Sequence, residues 1–330
     1  MEQTKEQFKF LSQHKLQTRL SGEFGDKIAK IVMQTVAIAI LATLILMVIL
    51  LVQMSSEAIN EFGSDFLTNS TWDPISEEFG VLSFLYGTLI TSILALLIAA
   101  PISVMVAIFI TEILPLKLGQ VLGLFVEMIA AIPSIVFGLW GLFFLAPLVR
   151  ESITPFLKST LGFLPFFQGP SFGIGILTAS IILATMILPT ITSITREVFK
   201  TIPQHQKEAA LALGATREEM IKLAVLRPSF SGITGAIVLG FGRALGETMA
   251  VAMVIGNSSK ITLSLFAPGA TMSSVIANEY AEASAGLHLS SLCFVGLLLF
   301  AVTLIVNSAA RFIVWKFSPL SKSERKEKRS

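Results

Sequence analysis

Long apolar stretches separated by short polar segments dominate this chain of 330 residues. A helix needs about 20 consecutive apolar residues to cross the hydrocarbon core of a bilayer. Six stretches are long enough: 31–54, 84–110, 119–149, 173–195, 232–256 and 289–315. The pattern therefore predicts an all-α integral membrane protein with six transmembrane helices, and the even number of spans places both termini on the same side.

The polar segments divide the chain into parts. No small-residue cleavage site follows the first apolar stretch, so we expect this stretch to stay as a membrane anchor. The expected parts are an N-terminal tail (1–30), a first transmembrane helix (31–54), a loop (55–83), a helical core (84–315) and a basic tail (316–330).

Composition agrees with a membrane location. The chain is 53% hydrophobic and only 14% charged, with a mean hydropathy of +0.78. Soluble domains carry about 25% charged residues, so a soluble protein is excluded. Pro101, Pro133 and Pro189 lie inside apolar stretches, where neighbouring helices can satisfy the freed backbone groups. We therefore expect kinks rather than helix ends at these prolines.

The lysine and arginine residues fall mainly in alternate polar segments. Six precede the first apolar stretch, none lies in 55–83, six follow the fourth stretch and seven lie from Arg311 to Arg329. The segment 55–83 instead holds six carboxylates. Segments rich in lysine and arginine face the cytoplasm. We therefore expect both termini and the loop 197–228 in the cytoplasm, and the acidic segment outside.

The cytoplasmic loop contains signals for two short helices. Pro203 suits a first helical turn, and Gly214 suits the position just past a helix end. Thr216 and Glu219 have the spacing of a capping box, which predicts a second helix running toward Leu226.

The first of these helices has small side chains that let another protein approach closely. Ala209 and Ala210 present little bulk, and Glu208 adds a charge at the rim. This pattern is typical of a helix laid into a groove on a partner. The alternatives are an amphipathic helix on the lipid surface and a DNA-type helix-turn-helix, although a connector between two spans argues against the second.

The motif Glu208-Ala209-Ala210, followed after three residues by Gly214, resembles the EAA loop of the membrane subunits of ABC importers. The resemblance implies a short coupling helix that sits in a cleft of the ATP-hydrolysing subunit. The family's motif usually closes on Leu-Pro, whereas Arg227 interrupts that ending here. This departure leaves the docking register of the loop open.

Two ionisable residues lie in the fifth apolar stretch. Burying such a side chain at the bilayer centre costs about 2.5–3.5 kcal/mol even on a lenient scale, so it normally faces the protein interior. Arg243 and Glu247 are four residues apart, which predicts that they share one helix face. Gly240, Gly242 and Gly246 leave room around them for a neighbour or a solute. We interpret the pair as a polar constriction in a translocation pathway; a structural ion pair is the alternative.

The chemistry of this pair favours an oxyanion. The guanidinium of Arg243 offers a planar fork of donors that fits phosphate-like oxygens. The carboxylate of Glu247 can accept a hydrogen bond from the O–H of hydrogen phosphate, which sulfate lacks. Glu127 in the third stretch is a further candidate for the pathway: it either counters Arg243 from a facing helix or lies near the cytoplasmic interface.

Three further motifs resemble the PstC-type membrane subunits of phosphate-specific ABC importers. The resemblance covers essentially the whole chain from the first to the sixth stretch. The motifs are the runs Arg243-Ala244-Leu245-Gly246-Glu247-Thr248-Met249-Ala250, Ala130-Ala131-Ile132-Pro133-Ser134-Ile135-Val136-Phe137-Gly138 and Leu188-Pro189-Thr190-Ile191-Thr192.

This resemblance implies a type I ABC importer permease fold over 84–315 and a multi-pass location in the bacterial inner membrane. It implies a subunit that forms half of the pathway for inorganic phosphate, with no cofactor and no nucleic acid. The expected partners are membrane lipid, a PstA-like permease subunit, two ATP-binding subunits, an external phosphate-binding protein and, as often in this family, a phosphate-sensing regulatory system.

The sequence argues against an enzyme. It has no Gly-x-x-x-x-Gly-Lys-Ser/Thr loop, so ATP must be hydrolysed by a partner. His14, His205 and His288 lie outside the apolar stretches, so we expect no catalytic residue and no metal site. The other readings are a permease of the same fold for sulfate or molybdate and a passive channel, which would need no coupling loop.

Overall fold

The computed structural model describes residues 2–283 and 286–317, so most of the predicted tail 316–330 lies outside the described residues. The chain divides into two units, residues 1–53 and 54–330. The first unit forms most of one long helix, α1 (Glu2–Met54). The part of this helix from Asp26 to Met54 is long and apolar enough to cross a membrane.

The second unit is helical apart from one small hairpin. Its first elements are α2 (Ser56–Phe62), α3 (Asp65–Thr68) and the antiparallel strands β1 (Trp72–Asp73) and β2 (Glu78–Phe79). The helices that follow are α4 (Leu82–Ile108), α5 (Leu116–Ala130), α6 (Ser134–Trp140), α7 (Ala146–Leu148), α8 (Thr154–Leu161), α9 (Ile176–Lys200), α10 (Gln204–Ala212), α11 (Arg217–Met220), α12 (Phe230–Leu245), α13 (Met249–Ala252), α14 (Met272–Glu279) and α15 (Leu287–Phe317).

Several of these helices are joined by turns of a different pitch. A 3₁₀ turn covers Pro165–Phe167. Wider π-helical turns cover Phe109–Ile113, Gly141–Leu145, Val149–Ile153 and Ile221–Leu226. These turns extend α4, join α6 to α8 through α7, and extend α11.

Five helical segments of the described chain are long and apolar enough to cross a membrane: Asp26–Met54, Leu82–Ile113, Ser134–Leu161, Ile176–Lys200 and Leu287–Phe312. The pair Arg217–Leu226 and Phe230–Leu245, bent by 72°, is a sixth candidate if it counts as one span. The predicted first, second, fourth and sixth stretches thus correspond to single helices. The other two predicted stretches differ from the structure.

The third predicted stretch, 119–149, is not one helix. The helix α5 ends at Ala130, and α6 begins at Ser134 directly after Pro133, whose ψ of 141° is extended. Proline lacks an N–H and disfavours the helical conformation of the residue before it. The expectation of a kink at Pro133 was therefore wrong, because the helix ends there and the span shifts to Ser134–Leu161. Pro101 and Pro189 do lie inside helices, as predicted.

The fifth predicted stretch, 232–256, is also interrupted. The helix α12 stops at Leu245, and a short turn at Gly246 leads to α13, which begins at Met249. Gly246 weakens a helix because it loses more backbone entropy than other residues. The carbonyl of Glu247 in this turn accepts a hydrogen bond from Ser273 Oγ at 2.6 Å, which replaces a helical hydrogen bond.

The core of the second unit is built around α9. The helix packs against α4 and α12, and its most apolar part is 72% buried. Close approach to α12 depends on Gly240, where a Cβ would lie 2.6 Å from Ile191. A second apolar cluster surrounds Phe66, Phe79 and Phe84 near the hairpin. A third, beneath the polar loop, contains Phe199, Met220 and Val225. The loop is therefore attached to the core by packing as well as by its chain ends.

Candidate functional site

The polar loop after α9 folds as two short helices, as predicted. Pro203 immediately precedes α10, which ends at Ala212. Gly214 has a φ of +87°, and Ala215 N donates to the Ala210 carbonyl at 3.2 Å, closing the helix end. Thr216 and Glu219 form the expected capping box at the start of α11. The local sequence signals thus determine the shape of the loop.

The capping carboxylate is held in its ionised form. Glu219 accepts hydrogen bonds from the backbone N–H of Thr216 at 2.8 Å and from its hydroxyl at 3.0 Å. These two bonds, the backbone one first, lower the pKa of Glu219 below its ordinary value. Because the folded-state pKa is depressed, the contribution of this cap is complete at neutral pH and is lost as the pH falls through the folded pKa.

One face of α10 is open to solvent. Glu208 and Ala209 are exposed, Leu211 is exposed, and Leu213 just beyond the helix is 90% exposed. Ala210 is half-buried and packs against the cluster beneath the loop. Of the predicted docking residues, Glu208, Ala209 and Gly214 are therefore available to a partner, whereas Ala210 mainly supports the helix.

A buried carboxylate fixes the loop to the rest of the protein. Glu112 lies in the π-helical turn that extends α4 and forms a salt bridge with Lys207, whose Nζ is 2.7 Å from Glu112 Oε1. The two side chains are only 5% and 13% exposed. Arg217 Nη2 on the second loop helix donates to the backbone carbonyl of Glu112 at 2.5 Å. Both loop helices are thus attached to one residue at the end of α4.

Glu112 was not predicted from the sequence as a functional residue. In the sequence, Glu112 is a single carboxylate just past the apolar stretch 84–110. Such a residue is typical of a helix end at the membrane surface and does not by itself indicate a functional contact. Lys207 stands 95 residues away in sequence, so only the tertiary structure brings the two together.

Gly214 offers a test of the loop geometry. A Cβ at Gly214 would meet nothing within 4 Å, so substitution is opposed only by its positive φ. We expect Gly214→Ala to cost about 1–2 kcal/mol of local stability. The measurement is the rate of tryptic cleavage within the loop, which should rise about fivefold to thirtyfold for that cost if cleavage follows the open population.

A matched control is available for this substitution. Gly235 lies inside α12, also with nothing within 4 Å of a built Cβ, but its φ is ordinary. Gly235→Ala should leave the cleavage rate unchanged, and Gly214→Asn should raise it less than alanine, because asparagine tolerates positive φ. Equal cleavage of Gly214→Ala and the unsubstituted chain would contradict the assigned role of Gly214.

Arg243 and Glu247 do not share a helix face, contrary to the expectation from their spacing. Arg243 lies in the last turn of α12, whereas Glu247 follows the end of that helix. Among the described residues no ion pair joins them: Arg243 Nη1 donates to Thr190 Oγ1 at 3.0 Å, and Glu247 Oε1 faces Ala250 N at 3.5 Å. The alternative reading of a structural ion pair within one helix is therefore not supported.

The break in α12 nevertheless leaves both side chains accessible. Arg243 is exposed, and Glu247 is half-buried. Thr190 on α9 holds the guanidinium, and the backbone of Glu247 is bonded to Ser273 on α14. The pair thus sits where three elements of the core meet, and within the described part of the chain the carboxylate of Glu247 makes one long contact, with Ala250 N.

Among the described residues, Glu127 pairs with Arg196 and not with Arg243, the partner considered for it from the sequence. Its Oε1 accepts a hydrogen bond from Arg196 Nη2 on α9, and Arg196 also pairs with Glu197. Arg196 is buried with only 8% of its side chain exposed, in space left by Gly123. The salt bridges recorded for the described residues do not pair Glu127 with Arg243, so its position at the loop end of α9 fits the second option, near the predicted cytoplasmic interface.

A metal site finds no support in the part of the chain that the structure describes. Within residues 2–283 and 286–317, the His, Cys, Asp and Glu side chains form no group of three that could hold an ion. Cys293 is buried without a disulfide partner.

Comparison with known proteins identifies the family. Residues 101–318 match the family model of the binding-protein-dependent transport system inner membrane component. The phosphate transport system permease protein PstC of Mesorhizobium japonicum is 47% identical over 266 residues, which cover 79% of this chain and 81% of that protein. The protein of the same name from Haemophilus influenzae is 44% identical over 290 residues, 86% of this chain and 92% of that one.

A solved structure agrees with the fold. A bacterial ABC transporter involved in the import of alginate aligns with a TM-score of 0.51 and 17% identity over 72% of this chain and 79% of that chain. This likeness concerns the fold alone.

The family model and the two relatives show that the chain belongs to the family of binding-protein-dependent transport system inner membrane components and, within it, to the PstC permeases.

Proposed function

We propose that this protein is the membrane permease subunit of an ATP-driven importer of inorganic phosphate and forms half of the translocation pathway. It is a multi-pass protein of the bacterial inner membrane. The observation that supports the proposal most is the exposed α10, with Glu208, Ala209 and Leu213 facing outward, in a chain whose relatives are phosphate permeases. A passive channel would need no such helix.

The energy comes from a partner. The chain has no phosphate-binding loop of the kind used by ATPases, so ATP is hydrolysed by two ATP-binding subunits beneath the complex. The exposed face of α10 sits in a cleft of one of them. This face lies in the cytoplasm, as do both termini, in agreement with the distribution of lysine and arginine. Glu112 transmits movement of the docked helix to α4, because Lys207 and Arg217 both bind it.

The remaining partners complete the importer. A PstA-like permease subunit supplies the other half of the pathway, and an external phosphate-binding protein delivers the ion. ATP-driven movement alternates the access of the pathway between the two sides, with energy entering only through contacts that differ between the two states. A phosphate-sensing regulatory system reads the state of the complex.

Arg243 and Glu247 serve as the polar constriction of the pathway. The guanidinium of Arg243 binds two phosphate oxygens through its planar fork. The carboxylate of Glu247 accepts the hydrogen bond of the phosphate O–H, and its only recorded contact among the described residues, at 3.5 Å, leaves it free to do so. Arg243 lies just before the helix break and Glu247 just after it. An ion bound at this break can therefore contact both side chains. Glu127 pairs with Arg196, so a part for it in the pathway stays a prediction that this pair neither supports nor contradicts.

The runner-up function is import of another oxyanion, such as sulfate or molybdate. A site with a carboxylate acceptor selects against sulfate, because sulfate has no proton to donate and the half-buried carboxylate would be left facing an anion without a hydrogen bond. The resemblance to PstC proteins favours phosphate independently of this argument.

Uptake of radiolabelled phosphate into vesicles bearing the reconstituted complex tests the function and the role of Glu247 together. We expect ATP-dependent uptake that excess unlabelled sulfate does not inhibit. In Glu247→Gln, the discrimination between phosphate and sulfate should fall about tenfold or more, because the amide loses the negative charge that repels sulfate and gains N–H donors that sulfate oxygens can accept. Sulfate inhibition of the unsubstituted complex would favour the runner-up, and unchanged discrimination in Glu247→Gln would contradict the role of the carboxylate.

A further inference from the structure

The hairpin of β1 and β2 has a tip of fixed geometry. Trp72 pairs with Phe79 and Asp73 with Glu78 across the two strands. Asp73 Oδ1 accepts the N–H of Ile75 at 2.9 Å, and Oδ2 accepts the hydroxyl of Ser76 at 2.8 Å. These bonds, the one from Ile75 first, lower the pKa of Asp73 below its ordinary value. The carboxylate therefore stays ionised and continues to hold the turn at neutral pH.

Aromatic packing anchors the base of the same hairpin. The Trp72 ring lies edge-on to Phe79 and Phe84, with centroids 4.9 and 5.0 Å away. Phe79 is 1% exposed, and its ring stacks on His288 at 5.5 Å. Such aromatic pairs stabilise their packing beyond the area they bury. A hairpin held at both its base and its tip is pre-organised.

This rigid tip presents one apolar side chain to solvent. Ile75 is 95% exposed, the highest value among the large apolar side chains of the described residues. A single exposed apolar residue is common and needs no explanation by itself. Here, however, the backbone that carries it is fixed by Asp73. A rigid, exposed side chain lowers the entropy lost on binding, which is the condition for an effective anchor.

The surroundings of the tip are acidic. The segment from residue 55 to residue 80 has no lysine or arginine, and its carboxylates are exposed or, for Asp73, half-buried. These residues are Glu57, Glu61, Asp65, Asp73, Glu77 and Glu78. Complementary charge steers association and fixes orientation. The matching surface on a partner is therefore an apolar socket within a basic rim.

We propose that the hairpin 72–79 is the docking element for the external phosphate-binding protein, with Ile75 as its apolar anchor. The inference rests on the proposed function, which supplies this partner and places the acidic segment outside the cell. Ile75 enters a socket on the binding protein, and the carboxylates around it contact basic residues at the rim of that socket.

The hairpin is also linked to the helix next to the constriction. Trp72 Nε1 donates to Glu279 Oε2 at the end of α14 at 2.8 Å, and His288 Nε2 lies 3.1 Å from the same oxygen. At the other end of α14, Ser273 holds the backbone of Glu247. A cavity of about 250 Å³ between the hairpin and α14 leaves room for movement. Movement of the hairpin on docking is thus transmitted through Trp72 and α14 to the backbone of Glu247.

The test uses the full complex in nanodiscs and its phosphate-loaded binding protein, and follows stimulation of ATP hydrolysis as the binding protein is titrated. In Ile75→Ser, the concentration for half-maximal stimulation should rise about tenfold, as for loss of an interface hot spot. The basal rate should stay unchanged. Phe163→Ser is the matched control, because Phe163 is another exposed apolar side chain, 76% exposed, and lies just past the end of α8, outside the hairpin.

A second variant tests the link to α14. Trp72→Phe keeps an aromatic ring but removes the donor to Glu279. We expect this variant to bind with the same half-maximal concentration and to reach a maximal stimulation lower by about threefold, which corresponds to the loss of one hydrogen bond. An unchanged maximum would contradict the link.

The outcomes separate this inference from the proposed function. An unsubstituted complex that the binding protein does not stimulate would overturn the proposed function. A complex that is stimulated normally and is indifferent to Ile75→Ser would overturn only the docking assignment. Cross-linking from Ile75→Cys with a thiol-reactive benzophenone provides an independent check, since Cys293 is buried. The binding protein should be captured from position 75 and not from Phe163→Cys.

Discussion

Arg243→Gln is expected to abolish ATP-dependent phosphate uptake by the reconstituted complex, with a fall of about a hundredfold or more. The reason is that the substitution removes both the positive charge that attracts the ion and the planar fork that binds two of its oxygens, and each hydrogen bond to a charged group contributes about 1.5–3 kcal/mol. Each 1.4 kcal/mol corresponds to a factor of ten. The measurement is the initial rate of radiolabelled phosphate uptake at equal amounts of assembled complex.

Two further substitutions separate the role of the charge from that of its position. Arg243→Lys keeps the charge but loses the planar fork of donors, so it should retain a small part of the uptake. Thr190→Val removes the hydroxyl that holds the guanidinium and should reduce uptake less than Arg243→Gln does. Normal uptake by Arg243→Gln would show that Arg243 stabilises the junction of α9 and α12 and lies outside the pathway.

Glu112→Gln is expected to uncouple ATP hydrolysis from uptake. The substitution leaves the ammonium of Lys207 buried and without its countercharge, a change that costs about 3–5 kcal/mol in buried pairs. The exposed face of α10 remains intact, so the ATP-binding subunits should still assemble with the complex. The ratio of phosphate transported to ATP hydrolysed should fall about tenfold or more, because α10 has lost its ionic contact with the end of α4 and follows it less closely, although Arg217 still bonds the backbone there.

The chain provides a matched control for this prediction. Glu197 and Lys200 form a salt bridge at the same distance of 2.7 Å near the same end of the core, but their side chains are 59% and 53% exposed. Exposed pairs contribute about 0–1 kcal/mol, so Glu197→Gln should leave the transport ratio unchanged. Exchange of the two charges, Glu112→Lys with Lys207→Glu, should restore part of the ratio. Equal effects of Glu112→Gln and Glu197→Gln would contradict the role of Glu112.

The sequence predicted the features that depend on neighbouring residues. Apolar stretches of sufficient length gave four of the spans, since crossing a bilayer is a matter of length and hydropathy. Pro203, Gly214 and the Thr216–Glu219 capping box gave the two loop helices, since each signal acts within four residues. The family was also recognisable from short motifs, because these motifs are continuous in sequence.

The sequence did not predict where helices break inside apolar stretches. Hydropathy is the same on both sides of Pro133 and of Gly246, so a count of apolar residues passes over both. Whether a proline kinks or ends a helix depends on the neighbours that satisfy the freed backbone groups. Pro101 and Pro189 are accommodated inside α4 and α9, which pack against each other, whereas α5 ends before Pro133.

What the sequence determined by itself is the membrane location, the two short loop helices and the presence of Arg243 and Glu247 in an apolar stretch, because hydropathy, capping and charge are local properties. Only the tertiary structure decided which charges meet. Glu112 joins Lys207 across 95 residues, and Arg196 joins Glu127 across 69. It also separated Arg243 from Glu247 by a helix break. Such pairings depend on how helices pack, and packing energy depends on residues that are distant in sequence.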